Sequence, residues 1–225
     1  KRCHAVIITS DKSYKNLEIN RGYKEDDILG GDDPYSGSKG AAELIIRSYF
    51  KSIIRYKKNL SINVARAGNV IGGGDWSYDR VIPDCVKSWS KNLAVKIRNP
   101  NSTRPWQHVL EVIRGYMQCA ILGRSNAKIN GEIFNFGPLI NQDKSVIQLI
   151  NQMRKNWKKV KWKIKKEKGD KKESKLLKLN SLKAKKILKW EPVLSFQKTV
   201  EMTALWYKAF YNKKNCFNLS KDQIE

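Results

Sequence analysis

Two short apolar runs joined by one helical segment limit this chain to few folds. Ala5-Val-Ile-Ile-Thr9 is a continuous β-branched run, and Leu60-Ser-Ile-Asn-Val-Ala65 is a second. Uninterrupted runs of this kind mark strands of a parallel sheet covered on both faces. Between them, from Tyr35 to about Lys57, Ala41, Leu44, Ile45, Ser48, Tyr49 and Ile53 recur at helical spacing. Strand, helix and strand in that order require a crossover, hence a parallel pair in an α/β fold.

The rest of the chain extends the pattern. Residues 12–34, with Gly22, Gly30, Gly31 and Pro34, read as a long loop, and loops that long in a compact domain are usually functional. Gly68 to Gly74 is a glycine-rich bend. Helices are expected near 80–91, 109–122 (ended by Gly123), 144–156, 180–188 (with a capped start at Asn180) and 196–211. Short strands are expected at 95–98, 132–136 and 160–164. In the last, Val160-Lys-Trp-Lys-Ile164 alternates, as a half-buried strand with a lysine-rich outer face would.

Charge narrows the function classes. Among 225 residues, 45 Lys+Arg stand against 21 Asp+Glu, a net +24. The segment 151–189 holds 17 Lys+Arg and three acids, and so contributes +14 of that; the first 50 residues balance at 8 and 8. A nucleic-acid groove is one reading of the basic segment. Its sparse aromatics and the lack of any known nucleic-acid motif favour a solvated lysine surface instead. No apolar run is long enough for a transmembrane helix. Cys3, Cys85, Cys119 and Cys216 form no C-x-x-C pair, which argues against a zinc site or disulfide scaffold and fits a reducing cytosol.

Two constellations carry chemistry. Thr9-Ser10-Asp11-Lys12 ends the first strand, and ligands of open parallel sheets bind at that edge. A turn leaving the strand would also use these residues. Tyr35-Ser-Gly-Ser-Lys39 places a lysine one helical turn from a tyrosine. The ammonium favours the phenolate and lowers a pKa that is near 10 in isolation, so the tyrosine becomes a usable base. A packed tyrosine with a surface lysine gives the same spacing by chance.

Together the two constellations resemble the extended short-chain dehydrogenase/reductase family. Within it, a series of blocks is similar to the CDP-glucose 4,6-dehydratases. These are Thr9-Ser-Asp-Lys12, Leu29-Gly-Gly31, Asp33-Pro-Tyr-Ser36, Ser38-Lys-Gly-Ala-Ala-Glu-Leu44, Ala65-Arg-Ala-Gly-Asn-Val-Ile-Gly-Gly-Gly-Asp-Trp76, Arg80-Val-Ile-Pro-Asp84, Arg104-Pro-Trp-Gln-His-Val-Leu-Glu111 and Phe134-Asn-Phe-Gly-Pro138. Dehydratases acting on dTDP-glucose or GDP-mannose carry Glu where Lys12 stands, and epimerases lack the pair at 11–12.

The resemblance implies a lyase that converts CDP-glucose to CDP-4-keto-6-deoxyglucose while bound NAD is reduced and regenerated, in deoxysugar and lipopolysaccharide O-antigen biosynthesis. It implies that Tyr35, Lys39, Ser10, Asp11 and Lys12 are catalytic, with Tyr35 and Lys39 also holding the cofactor. Asn69, Arg80, Arg104 and Asn135 would hold the CDP moiety, and no metal is needed. His108 is expected to pack or bond locally. The expected fold is an NAD-binding Rossmann-like parallel sheet, truncated at the N-terminus, with a smaller C-terminal substrate-binding domain. Residues 1–70 would belong to the first and 71–225 mainly to the second, with a segment near 105–137 returning to the sheet. A homodimer or homotetramer, a cytoplasmic location, no membrane and no specific nucleic acid are expected.

The dinucleotide fingerprint is missing from these residues. Gly72-Gly-Gly74 follows a late strand and lacks G-x-x-G-x-x-G spacing before a helix. A core strand only four residues from Lys1 adds to the expectation of a chain without its cofactor-binding beginning, with a sheet edge left open at 5–9. Rival readings are an epimerase or reductase of the same fold, an inactive fragment, and a basic nucleic-acid-binding module.

Overall fold

The computed structural model describes residues 1–138, 143–164 and 176–225. Leu139 to Gln142 and Lys165 to Lys175 lie outside the described residues, and the second stretch includes much of the lysine-rich segment. Chain contacts separate two compact units, the described residues of Lys1–Asn69, Glu111–Ile140 and Leu176–Val193, and those of Val70–Leu110, Asn141–Lys175 and Leu194–Glu225.

In the first unit, β1 (Cys3–Ser10), β2 (Leu60–Ala67) and β7 (Ile133–Phe136) form a parallel sheet in the order β1-β2-β7. Register runs from Cys3 opposite Leu60 to Ser10 opposite Ala67, and Arg66 stands opposite Asn135. Helix α1 (Pro34–Ser52) makes the crossover from β1 to β2. Asp33 caps it by accepting from the Ser36 amide at 3.0 Å, and Pro34 occupies its first position, where a missing N–H costs nothing. Helix α3 (Val109–Ser125) precedes β7.

The doubly covered strand is β2, buried along nearly its whole length, and not β1 as the apolar run suggested. Strand β1 lies at the sheet edge, where Ile8 is 58% exposed. Gly123 does not end α3, which continues to Ser125. A Cβ on Gly123 would lie 2.0 Å from the His4 ring, so glycine is needed there for helix–strand contact.

Residues 176–193 fall in the first unit, a return that no periodicity marks. Tyr23 donates to the Lys178 carbonyl at 2.9 Å, and its own carbonyl accepts from Asn180 at 2.9 Å. Ala184–Leu188 is one wide helical turn, closed by Lys189 in the left-handed region, in place of the expected helix 180–188. It delivers Trp190 edge-on to Phe136, centroids 4.9 Å apart, in a core with Ala65, Cys119, Ile129 and Phe134. The indole N–H of Trp190 donates to the Glu111 carbonyl at 3.0 Å, and the buried Glu111 carboxylate accepts from the Val193 amide at 2.6 Å.

The second unit contains α2 (Val81–Ser90), α4 (Val146–Met153), α5 (Phe196–Tyr211) and α6 (Cys216–Ile224). No periodic pattern announced α6, which buries no residue. Three two-stranded ladders accompany the helices. Strand β3 (Val70–Ile71) pairs with β6 (Gln107–His108), β4 (Val95–Ile97) with β9 (Trp162–Ile164), and β5 (Thr103–Arg104) with β8 (Lys144–Ser145). All three residues of β9 are exposed, so the half-buried strand expected at 160–164 has no buried face. The core of this unit is aromatic, built on Trp89, Trp106, Trp157, Phe196 and Tyr207. Gly73 lies against Trp206, 2.1 Å from a would-be Cβ, so the glycine bend serves packing in this unit.

Candidate active site

The first unit gathers the polar residues of the strand end and of α1. Beyond Ser10 the chain makes one tight 3-10 turn, Asp11–Ser13. Ser10 Oγ donates to Asp11 Oδ1 at 2.9 Å and accepts from the Lys12 amide at 3.2 Å. Ser13 Oγ donates back to the Ser10 carbonyl at 2.8 Å. Asp11 and Ser13 are buried, while Ser10 and Lys12 are half-buried.

This turn packs directly on α1. Gly40 makes the approach feasible, because a Cβ there would sit 3.0 Å from the Gly30 nitrogen and 3.3 Å from the Ser13 carbonyl. The Gly30 amide in turn donates to the Ser13 carbonyl at 2.9 Å. Gly31 is pressed on Ser36, whose Cβ would be 2.2 Å from an added Cβ. The loop 12–34 is therefore tied down along its length, with bridges Tyr14–Leu29 and Tyr23–Leu179. Tyr35, in the first turn of α1, is 55% exposed as a residue, and Lys39 Nζ lies 5.5 Å from its ring centroid. The α1 spacing thus places ammonium and phenol together. Hydrogen bonds from Ser36 hold Asp33 below the usual carboxylate range, with a smaller contribution from the Lys12 charge.

Beneath this surface lies a buried network. Arg66 Nε donates to Glu43 Oε1 at 2.7 Å, Arg66 Nη2 closes the second arm of the fork on Oε2, and Thr9 Oγ1 donates to Oε1 at 2.6 Å. Arg66 also bonds the Tyr14 hydroxyl and the Glu25 carbonyl, and stacks 4.5 Å above the Tyr14 ring. Tyr14 donates to Asn135 Oδ1 at 2.9 Å. Burial works against the Arg66 charge, but the bonds to Glu43 and Tyr14 outweigh it and keep its pKa above the ordinary value. Burial raises the Tyr14 phenol despite Arg66, and raises the Glu25 carboxyl.

The remaining expected residues are placed differently. Asn69 follows β2 and is half-buried. The side chain of Asn135 is fully buried and engaged, accepting from Tyr14 and donating to the Tyr23 carbonyl at 2.8 Å. Both polar ends of this side chain are thus engaged in the network. Arg80 and Arg104 belong to the second unit. Arg80 is exposed before α2, 3.9 Å from Asp75, and Arg104 is buried in β5 with Nη1 donating to the Thr103 carbonyl at 2.8 Å. His108 is buried, and its Nδ1 accepts from the Leu110 amide at 3.3 Å at the start of α3.

Sequence reading gave no role to Tyr14, Glu43 and Arg66, and named Thr9 only as part of the strand-end run. One signal was present, since Glu43 stands one further turn along the face of Tyr35 and Lys39. Another was a lone arginine embedded in a strand of apolar and small residues. Among the described residues, no group of three or more His, Cys, Asp or Glu could hold a metal, and no helix is long and apolar enough to cross a membrane.

Comparison with known proteins gives a consistent result. The family model described as GDP-mannose 4,6 dehydratase matches residues 1–203. A CDP-glucose 4,6-dehydratase of Salmonella typhimurium is 41% identical, over 97% of this chain and 62% of its own length. A human dTDP-D-glucose 4,6-dehydratase is 24% identical, over 93% of this chain and 58% of its own. This chain thus spans about three-fifths of these relatives. Among solved structures, DesIV of Streptomyces venezuelae, a dTDP-glucose 4,6-dehydratase with NAD and TYD bound, superposes with a TM-score of 0.75 at 20% identity, covering 94% of this chain and 62% of that one. A UDP-glucuronic acid 4-epimerase of Bacillus cereus reaches 0.78 at 20% identity, covering 94% and 63%, so the fold alone is shared with both reaction types. The chain belongs to the GDP-mannose 4,6-dehydratase family, with a Rossmann-type α/β fold.

Proposed function

We propose that this member of the GDP-mannose 4,6-dehydratase family is a CDP-glucose 4,6-dehydratase, a hydro-lyase that forms CDP-4-keto-6-deoxyglucose. The observation that carries the reading is Asp11-Lys12 directly after the strand-end Ser10, on a turn packed against the helix of Tyr35 and Lys39. The 41% identity to a CDP-glucose enzyme supports the nucleotide.

NAD, if bound, would supply reversible hydride chemistry between sugar C4 and C6 and would not be consumed. Lys39 and the exposed Tyr35 fit the nicotinamide ribose, whereas the sequence holds no G-x-x-G-x-x-G turn for the pyrophosphate. Tyr35 takes the 4-hydroxyl proton as hydride leaves C4, and Lys39 stabilises the phenolate. Ser10 hydrogen-bonds the 4-oxygen. The resulting 4-keto group acidifies the C5 proton. Asp11, protonated for this step, gives its proton to the departing 6-hydroxyl, which leaves as water. Lys12 stands where the C5 base stands in related dehydratases. It must be neutral to accept that proton, and Asp11 opposes neutrality whenever it is ionised, so the base is Lys12 or a water that it orders.

Arg80 and Arg104, with Asn69 and Asn135, would hold the CDP moiety, the two arginines pairing its diphosphate. The enzyme would act as a cytoplasmic homodimer or homotetramer in deoxysugar biosynthesis. The test is to incubate NAD-loaded holoenzyme separately with CDP-glucose, dTDP-glucose, GDP-mannose and UDP-glucose. A 4-keto-6-deoxy product from CDP-glucose in preference to the others is expected. An epimer formed without loss of water would replace the dehydratase reading with an epimerase.

A further inference from the structure

We infer that Glu43, Arg66 and Thr9 are positioning residues that hold the strand-end turn in register with the Tyr35–Lys39 face of α1. The inference rests on the dehydratase reading for its kinetic consequence, and on the geometry alone for its structural one.

Glu43 and Arg66 side chains are each only 1% exposed. Burying a charged pair gains little over apolar packing of the same volume, so stability alone is a weak reason to keep one. What the pair supplies is geometry. A forked guanidinium on a carboxylate fixes both distance and orientation, unlike a greasy contact. Glu43 shares the face of Tyr35 and Lys39, so a one-residue slide of α1, or a rotation of about 100°, would take Glu43 off Arg66. The same movement would take Tyr35 and Lys39 off the strand ends. The pair thus pins the helix to β2, the central strand.

Thr9 extends the lock to β1. Its hydroxyl shares Glu43 Oε1 with Arg66, and the next three residues are Ser10, Asp11 and Lys12. On the far side Arg66 holds Tyr14, the first residue past the turn. The turn is therefore anchored at both ends to one ion pair, which itself stands on α1. No atom of the network need touch substrate for this to matter. Reacting groups misplaced by about 1 Å lose up to about 100-fold in rate.

Thr9→Val keeps shape and removes only the hydroxyl, leaving Glu43 and Arg66 paired, while Thr9→Ser retains the bond. The measurements are kcat and KM for CDP-glucose in NAD-loaded holoenzyme, and deuterium uptake of the peptide spanning 10–14. In Thr9→Val, kcat is expected to fall about tenfold, with KM changed by less than about threefold and a raised uptake at 10–14. Thr9→Ser should match the wild type in both. Glu43→Gln should show the same kcat loss; where it fails to fold, the Thr9 pair alone decides. Equal uptake in Thr9→Val and Thr9→Ser overturns the inference, as does raised uptake with unchanged kcat. Wild-type protein that does not turn over CDP-glucose refutes the proposed function, and the uptake comparison then decides the inference by itself.

Discussion

The two units bury different chemistry. Of the five buried Asp, Glu and Arg side chains among the described residues, Asp11, Glu43, Arg66 and Glu111 lie in the first unit and Arg104 in the second. Large rings fill both cores, Tyr14, Tyr23, Phe134, Phe136 and Trp190 in the first unit and Trp89, Trp106, Trp157, Phe196 and Tyr207 in the second, so the buried ions are what sets the units apart. Rings tolerate small shifts, because dispersion and area burial are not directional. Buried ions do not, because each must keep its partner at hydrogen-bond distance or bear the full desolvation penalty. The unit that carries the proposed reacting groups is therefore the one whose interior specifies geometry most narrowly.

The sharpest test of that contrast removes one ion. Arg66→Met leaves Glu43 buried without its guanidinium and should destabilise the protein by about 3–5 kcal/mol, read from the denaturant midpoint. Adding Glu43→Gln to that variant should recover most of the loss, since the orphan charge is gone. If the double variant is no more stable than Arg66→Met, the cost lies in packing and the contrast between the units disappears.

Next in size are the reacting groups. Tyr35→Phe should lower turnover by about 100-fold or more with the fold intact, because α1 keeps its cap and its Glu43 anchor. Asp11→Asn should spare hydride transfer and block elimination. A single-turnover trace should show reduced-nicotinamide absorbance building up, with little 4-keto-6-deoxy product. Loss of both steps together would reduce Asp11 to a turn residue.

In the second unit a steric probe is the counterpart. Gly73→Ala puts a methyl 2.1 Å from the Trp206 ring and should cost about 1–3 kcal/mol through repacking, without altering the pH dependence of stability. A pH-dependent loss would show that ionised groups also govern this unit.

The smallest effect is expected at the entrance to α1. Asp33 has a folded pKa below its ordinary 3.8, owing mainly to Ser36, so its charged cap contributes above that value and is lost as pH falls through the folded one. Asp33→Asn still caps the helix. It should leave stability near neutrality within about 0.5 kcal/mol of wild type and remove this part of the acid-side decline, measured by melting temperature between pH 2 and 6.

Much of the site was legible because local rules suffice for it. Helical spacing alone sets Tyr35 one turn from Lys39, and a Pro after a capping Asp starts the helix that carries them. The strand end at Ser10 follows from a β-branched run stopped by polar residues. These features depend on neighbours within about four residues. Gly123 shows the limit of such rules. Read locally it ends a helix, but in the fold it makes room for His4, a residue 119 positions away in sequence.

What tertiary structure decided is who meets whom. The open edge at 5–9 was expected, but pattern could not show that β2 and not β1 is the strand covered on both faces, because burial depends on contacts across the sheet. Nor could it show that Asn135 meets Tyr14 and the Tyr23 carbonyl on its two polar ends. The pairing of Glu43 with Arg66 spans 23 residues, and that of Tyr14 with Asn135 spans 121. The sequence by itself determined the class of fold, the helix of Tyr35 and Lys39 and the polar turn at Ser10, since each arises from short-range sterics and periodicity. The buried ion network arises only when distant segments exclude water together, so folding alone selects its partners.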